Sequence, residues 1–161
     1  MAASDNPKSR ISDLLNPEAV QLALPGNTRD DVLRDLVALV PPLRNRPAEQ
    51  HRLLQALIER EGMHSTGIGE GLALPHTRTT LGGLVEQPLV AVGRHPRGIP
   101  FGAIDGKPVQ LFFLLLTTSV TEHLRLLALL SRLLRDTRLR GLLLTVQEPA
   151  QVIDAVRQTE S

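Results

Sequence analysis

Apolar residues recur along the chain in two rhythms, one of helices and one of strands. Between Arg29 and Val40, the positions Val32, Leu33, Leu36, Val37 and Val40 keep the spacing of an amphipathic helix. Thr28 stands where an N-cap belongs, Asp30 and Asp31 suit the dipole in the first turn, and Pro41-Pro42 ends the run. A second helix is expected from Arg46 to Glu61, with Asn45 as its cap and Leu53, Leu54, Leu57 and Ile58 as its buried stripe. Arg60-Glu61 falls in its last turn, before Gly62. The helical rhythm returns from Thr121, read as a cap. There Leu124, Leu127, Ala128 and Leu130 to Leu134 are expected inward, and Glu122, Arg125, Arg132 and Arg135 outward. A short helix around Leu139 to Val146 follows, then a terminal one from Pro149 to Arg157, with proline at the first turn.

The strand rhythm is shorter. After the apolar patch Ile11 to Leu15 and the stop at Asn16-Pro17, Val20 to Leu24 alternates as an edge strand would, ended by Pro25-Gly26. Leu72-Ala73-Leu74 and Pro88 to Gly93 read as further strands. Val109 to Thr117 is apolar on both faces, which marks a central strand covered by helices on both sides. Arg97 to Phe101 and Ile104 to Pro108 carry turn chemistry, and the basic stretch Gly93 to Gly98 is expected as a loop open to a partner. Residues 1–10 read as a polar leader. The remainder, 11–158, is one domain of α/β class with no internal repeat or linker.

Composition narrows the function classes. The chain has 161 residues, 42% hydrophobic and 22% charged, which suits one soluble domain with a real core. A net charge of +1, with three Phe and no Trp or Tyr, offers neither the basic stripe nor the stacking platforms of a nucleic-acid binder. The absence of cysteine removes disulfides and thiolate metal sites. No His-x-His or His-Glu-x-x-His spacing occurs, so a metal hydrolase is disfavoured and no metal or cofactor is expected. The longest apolar run, Leu111 to Leu116, is far short of the ~20 residues of a membrane helix. With no apolar signal segment at the N-terminus, the expected location is the cytoplasm.

The chemistry concentrates in Ser65-Thr-Gly-Ile-Gly-Glu-Gly-Leu-Ala-Leu-Pro-His-Thr-Arg78. Gly67, Gly69 and Gly71 let the backbone turn or approach closely. Pro75 fixes its own φ and holds Leu74 extended, so His76 leaves a rigid element with a nucleophilic ring. The glycines are no dinucleotide fingerprint, because a strand rather than a helix follows. Taken singly, each residue has a plain structural explanation: His76 a core histidine, His123 a surface histidine at a helix start, Arg60 a helix-terminal cation. Thr66 is read either as a phosphoryl ligand or as a loop cap. His51, His64 and His95 are expected at the surface.

Taken together they resemble a family. Arg60-Glu61, Ser65 to Gly69 and Pro75-His76, followed by Ile99-Pro-Phe101, Ala103 to Val109 and His123-Leu124, are similar to the enzyme IIA domains of the fructose/mannitol/nitrogen-regulatory type of the bacterial phosphotransferase system. The likeness covers roughly residues 11 to 157. Met63-His64 before the glycine motif departs from the usual small or charged residues. The resemblance implies a single-domain α/β sandwich with a mixed sheet flanked by helices on both faces. It implies that His76 accepts a phosphoryl group from a phosphohistidine on HPr or an HPr-like carrier, with His123 and Arg60 beside it. Physical chemistry is compatible with those roles. Amides of a loop containing Thr66, Gly67 and Gly69 would form an anion nest, the start of a helix would place His123 near free N–H groups, and arginine supplies a permanent bidentate charge. Phosphoryl transfer between nitrogens needs positioning and charge, with no nucleotide leaving group for a metal to neutralise.

Three functions follow from the resemblance. The first is a nitrogen-regulatory phosphocarrier whose phosphorylation state is the signal, addressed to a regulatory target such as a kinase or transporter. It is favoured by a chain expected to be one free-standing domain. The second is a sugar-specific IIA component that hands the group to a IIB cysteine. The third is a IIA-like binding module that takes no phosphoryl group, disfavoured by the joint presence of His76, His123 and Arg60.

Overall fold

The computed structural model describes residues 9–160, so residues 1–8 of the expected leader lie outside the described residues. Among the described residues a mixed five-stranded sheet carries helices on both faces. The strands are β1 (Val20–Gln21), β2 (Gly67–Gly69), β3 (Leu72–Ala73), β4 (Leu89–Ile99) and β5 (Val109–Leu116), in the spatial order β1-β4-β5-β3-β2. β1 runs parallel to β4, β3 runs parallel to β5, and the β4–β5 and β2–β3 pairs are antiparallel. The helices are α1 (Arg29–Val37), α2 (Pro47–Met63), α3 (Val120–Leu133), α4 (Thr137–Thr145) and α5 (Pro149–Glu160).

β5 occupies the centre, as its two-sided apolar pattern predicts. Its side chains divide by parity. Phe112, Leu114 and Leu116 pack with Leu33 and Leu36 of α1 and Leu53 and Leu57 of α2, while Leu111, Phe113 and Leu115 pack with Leu126 and Leu130 of α3 and residues of α4 and α5. Ala91 and Val90 of β4 divide in the same way. The side chains between the helix layers and the sheet form two cores, both made by the one central strand.

Several elements differ from their sequence expectation. β1 is an edge strand, but its pairing ends after two residues. α1 keeps its Thr28 cap, which accepts the Asp31 amide, yet it closes at Val37 rather than Val40. Asn45 does not cap α2. It takes a left-handed φ of 62°, and Pro47 opens the helix after Arg46. β4 runs on through Ile99, so the expected loop at Gly93 to Gly98 is strand with a register shift opposite β5. Gly98 permits that irregularity with a φ of 78°. α3 is capped by Ser119, two residues before Thr121, and its inward face also differs from the expected one. Leu126, Leu130 and Leu134 are buried, whereas Leu124 is 62% exposed and Ala128 is also exposed.

Candidate functional site

The stretch singled out by the sequence folds as a hairpin, not as an open glycine loop. β2 turns through Glu70 (φ 58°) and Gly71 (φ 76°) into β3. Gly67 is required by packing: a Cβ there would stand 2.8 Å from Ala103 Cβ and 2.9 Å from its Cα. Two of the amides expected to cradle an anion, those of Thr66 and Gly67, have acceptors within the protein. Thr66 N–H donates to Glu61 Oε2 at 2.9 Å, and its hydroxyl donates to Glu61 Oε1. Gly67 N–H donates to Ser65 Oγ at 2.9 Å, and Glu70 N–H donates to Asp105 at 3.0 Å. Gly69 is paired with Leu72 in the hairpin.

The segment before His76 is held from both sides. Leu74 N–H donates to the Thr66 carbonyl at 3.0 Å, and Leu115 N–H of β5 donates to the Pro75 carbonyl at 3.1 Å. The half-buried His76 ring then folds back, with Nδ1 2.7 Å from the Leu74 carbonyl oxygen. A carbonyl only accepts, so this contact assigns the proton to Nδ1 and leaves the lone pair on Nε2.

His123 is brought beside it. The two ring centroids are 5.1 Å apart, with the planes inclined at 49°. His123 sits one turn into α3, its own N–H already given to the Ser119 carbonyl at 3.0 Å, so it holds a place near the helix start without a free amide. Its Nδ1 lies 3.4 Å from Thr117 Oγ1. Burial pushes both imidazoles below their ordinary value of 6.5. At His76 the positive charge of a protonated His123 and of Arg60 acts in the same direction, opposed by the Leu74 hydrogen bond.

Arg60 is in the last turn of α2, where Nη1 donates to the His64 carbonyl at 2.6 Å. Its charge is felt at His76 and at the neighbouring Glu61. Sequence reasoning passed over Glu61 as a site residue. The available signal was its position: a carboxylate at a helix C-terminus opposes the dipole and needs another reason to be there. The structure shows it 5% exposed, and burial raises its carboxyl above 4.5 against the pull of Thr66, Arg60 and Arg29.

Two expectations about the basic stretch fail. His95 is buried, 6% exposed, because residues 93–98 are strand. Arg94 is bound into the fold, with Nε on the Leu22 carbonyl (3.1 Å) and Nη1 on those of Leu143 (3.0 Å) and Val146 (2.8 Å). It ties the end of α4 to the sheet and is not free to meet a partner.

The family model described as phosphoenolpyruvate-dependent sugar phosphotransferase system, EIIA 2, matches residues 13–159. The chain belongs to this family. Members of the EIIA 2 family similar to it carry two kinds of name. The fructose-specific EIIA component of Haloferax volcanii is 33% identical over 92% of this chain and 95% of its own length. The fructose-specific EIIABC component of Bacillus subtilis is 31% identical over 92% of this chain, which spans only 23% of that longer protein. A nitrogen regulatory protein of Bradyrhizobium diazoefficiens is 35% identical over 78% of this chain and 80% of its own length. Among solved structures, the nitrogen regulatory protein IIA-Ntr of Neisseria meningitidis superposes with a TM-score of 0.78 at 29% identity, covering 91% of this chain and 98% of that one. Among the described residues no helix of this EIIA 2 protein is long and apolar enough to cross a membrane.

Proposed function

We propose that this protein is a cytoplasmic phosphocarrier in which Nε2 of His76 accepts a phosphoryl group from a phosphohistidine on HPr or an HPr-like carrier. The observation that carries the reading is the Nδ1 contact to the Leu74 carbonyl, which leaves Nε2 as the nucleophilic nitrogen of a ring kept neutral by burial. In the transfer, the Nε2 lone pair forms the new N–P bond. The donor N–P bond breaks, and its electron pair returns to the donor imidazole. Before transfer, a protonated His123, 5.1 Å away, disfavours a second proton on the His76 ring. After it, the phosphoryl anion favours the cationic form of His123, which then stabilises the product. Arg60 adds permanent positive charge from the end of α2.

The surface around the site fits a protein donor. Val120 and Leu124, which bracket His123 on α3, are 63% and 62% exposed, and Ile104, beside the β2 hairpin, is 86% exposed. Exposed apolar side chains beside a charged reaction centre are what a transient partner would cover. Phosphorylating the protein with carrier and recording the ring nitrogens of ¹⁵N-labelled histidine tests the assignment. The expected result is a phosphoryl bond at Nε2 of His76; a bond at Nδ1, or on another histidine, contradicts it.

The nitrogen-regulatory role, in which the phosphorylation state is itself the signal, is supported by the relatives and the solved structure of that name. A second reading, delivery of the group to a IIB domain in sugar uptake, is favoured by the Haloferax volcanii likeness over almost the whole of both chains.

A further inference from the structure

Glu61 is an expensive residue to keep. Its carboxylate is buried at the wrong end of a helix dipole, and none of the ion pairs among the described residues includes it. Both oxygens are used on one residue, Thr66, which offers its amide and its hydroxyl. From Thr66 the connection continues. The Thr66 carbonyl accepts the Leu74 amide at 3.0 Å, and the Leu74 carbonyl accepts His76 Nδ1–H at 2.7 Å.

We propose that Glu61 is a positioning residue for His76, acting through this unbroken run of hydrogen bonds across the hairpin. The run does not conduct a proton, because successive bonds use different peptide units. It fixes orientation. Glu61 sets where Thr66 lies, Thr66 sets the carbonyl of Leu74, and that carbonyl chooses which nitrogen of His76 carries the proton. Without the anchor, the proton is free to sit on Nε2, where it would block the lone pair. A small-to-moderate displacement suffices, because a misplacement of about 1 Å costs reactions of this kind roughly a hundredfold. The purpose rests on the phosphoacceptor reading above, but the linkage does not.

The test reads the tautomer directly, with no phosphate donor present. In ¹⁵N-histidine spectra of the whole chain above pH 7, the unaltered protein is expected to show His76 protonated at Nδ1 and bare at Nε2. Glu61→Gln keeps the size of the side chain but turns one acceptor into a donor. It is expected to populate the Nε2–H form and to slow carrier-dependent phosphorylation about tenfold or more. Thr66→Val, which loses only the hydroxyl, should shift the tautomer in the same direction, and it decides the matter if Glu61→Gln does not fold. Thr66→Ser should restore the original pattern. Arg94→Ala serves as a control, since it breaks bonds to Leu22, Leu143 and Val146 that lie outside this run, and it should leave the tautomer unchanged. An Nδ1–H signal unaltered in both Glu61→Gln and Thr66→Val, or lost equally in Arg94→Ala, overturns the proposal. If His76 takes no phosphoryl group from any carrier, the phosphoacceptor reading fails while the tautomer still decides on Glu61.

Discussion

At the scale of single residues, two arrangements shape His76, a carbonyl that claims Nδ1 and burial that resists charge. Both histidines of the pair have folded-state values below 6.5, so as pH falls the unfolded chain binds protons first. Stability should therefore be complete above about pH 6.5 and fall as pH drops below it, with a shallower fall in a His76→Gln, His123→Gln double variant; chemical denaturation at several pH values measures this. Glu61 works in the opposite direction. Its raised value makes the folded form bind the proton, and stability is lost as pH rises from 4.5 through that window. Arg94 illustrates a different kind of residue. Removing it as Arg94→Ala leaves the carbonyls of Leu22, Leu143 and Val146 short of a donor and should cost roughly 1–3 kcal/mol in denaturant unfolding. Phosphorylation should proceed at an unchanged rate. The sequence could mark Arg94 as basic, but only the end of α4, folded against it, shows that its charge is spent internally.

Among the elements, the hairpin and the central strand carry the site. β5 was readable in advance because a run apolar on both faces has few other uses. The hairpin was not, because three alternate glycines suit a loop as well as a turn, and what fixes it is Ala103 packing on Gly67 from a distant segment. Gly67→Ala should force that contact apart and lower stability by about 1–3 kcal/mol, with thermal unfolding as the readout. A variant of unchanged stability would show that the hairpin and residues 102–104 are not in contact. α3 gives the complementary lesson. Its leucines are so numerous that two phases fit the pattern, and packing on the sheet decides between them by burying Leu126, Leu130 and Leu134. Leu126 is on the buried face, and Leu124, expected there, is exposed.

For the whole molecule, two cores around one sheet bring His76, just after β3, beside His123 of α3, while Val120 and Leu124 of α3 stay exposed. Leu124→Asp is expected to raise the KM for the phosphorylated carrier severalfold and to move stability by no more than ~0.5 kcal/mol, as for an exposed position. Equal kinetics with the unaltered protein would remove α3 from the docking surface. The family and the pairing of His76 with His123 were legible in the motifs; the tautomer of His76 and the bonds of Glu61 to Thr66 were not, since they join residues that the sequence only places in order.

The most direct test of the central claim is an intact-mass measurement. The protein is mixed with phosphoenolpyruvate, enzyme I and an HPr-type carrier, and held at neutral or alkaline pH. The account predicts one acid-labile phosphoryl adduct that is absent in His76→Ala and retained in His51→Ala, whose side chain is exposed. An adduct that survives in His76→Ala, or none with any compatible carrier, would contradict it.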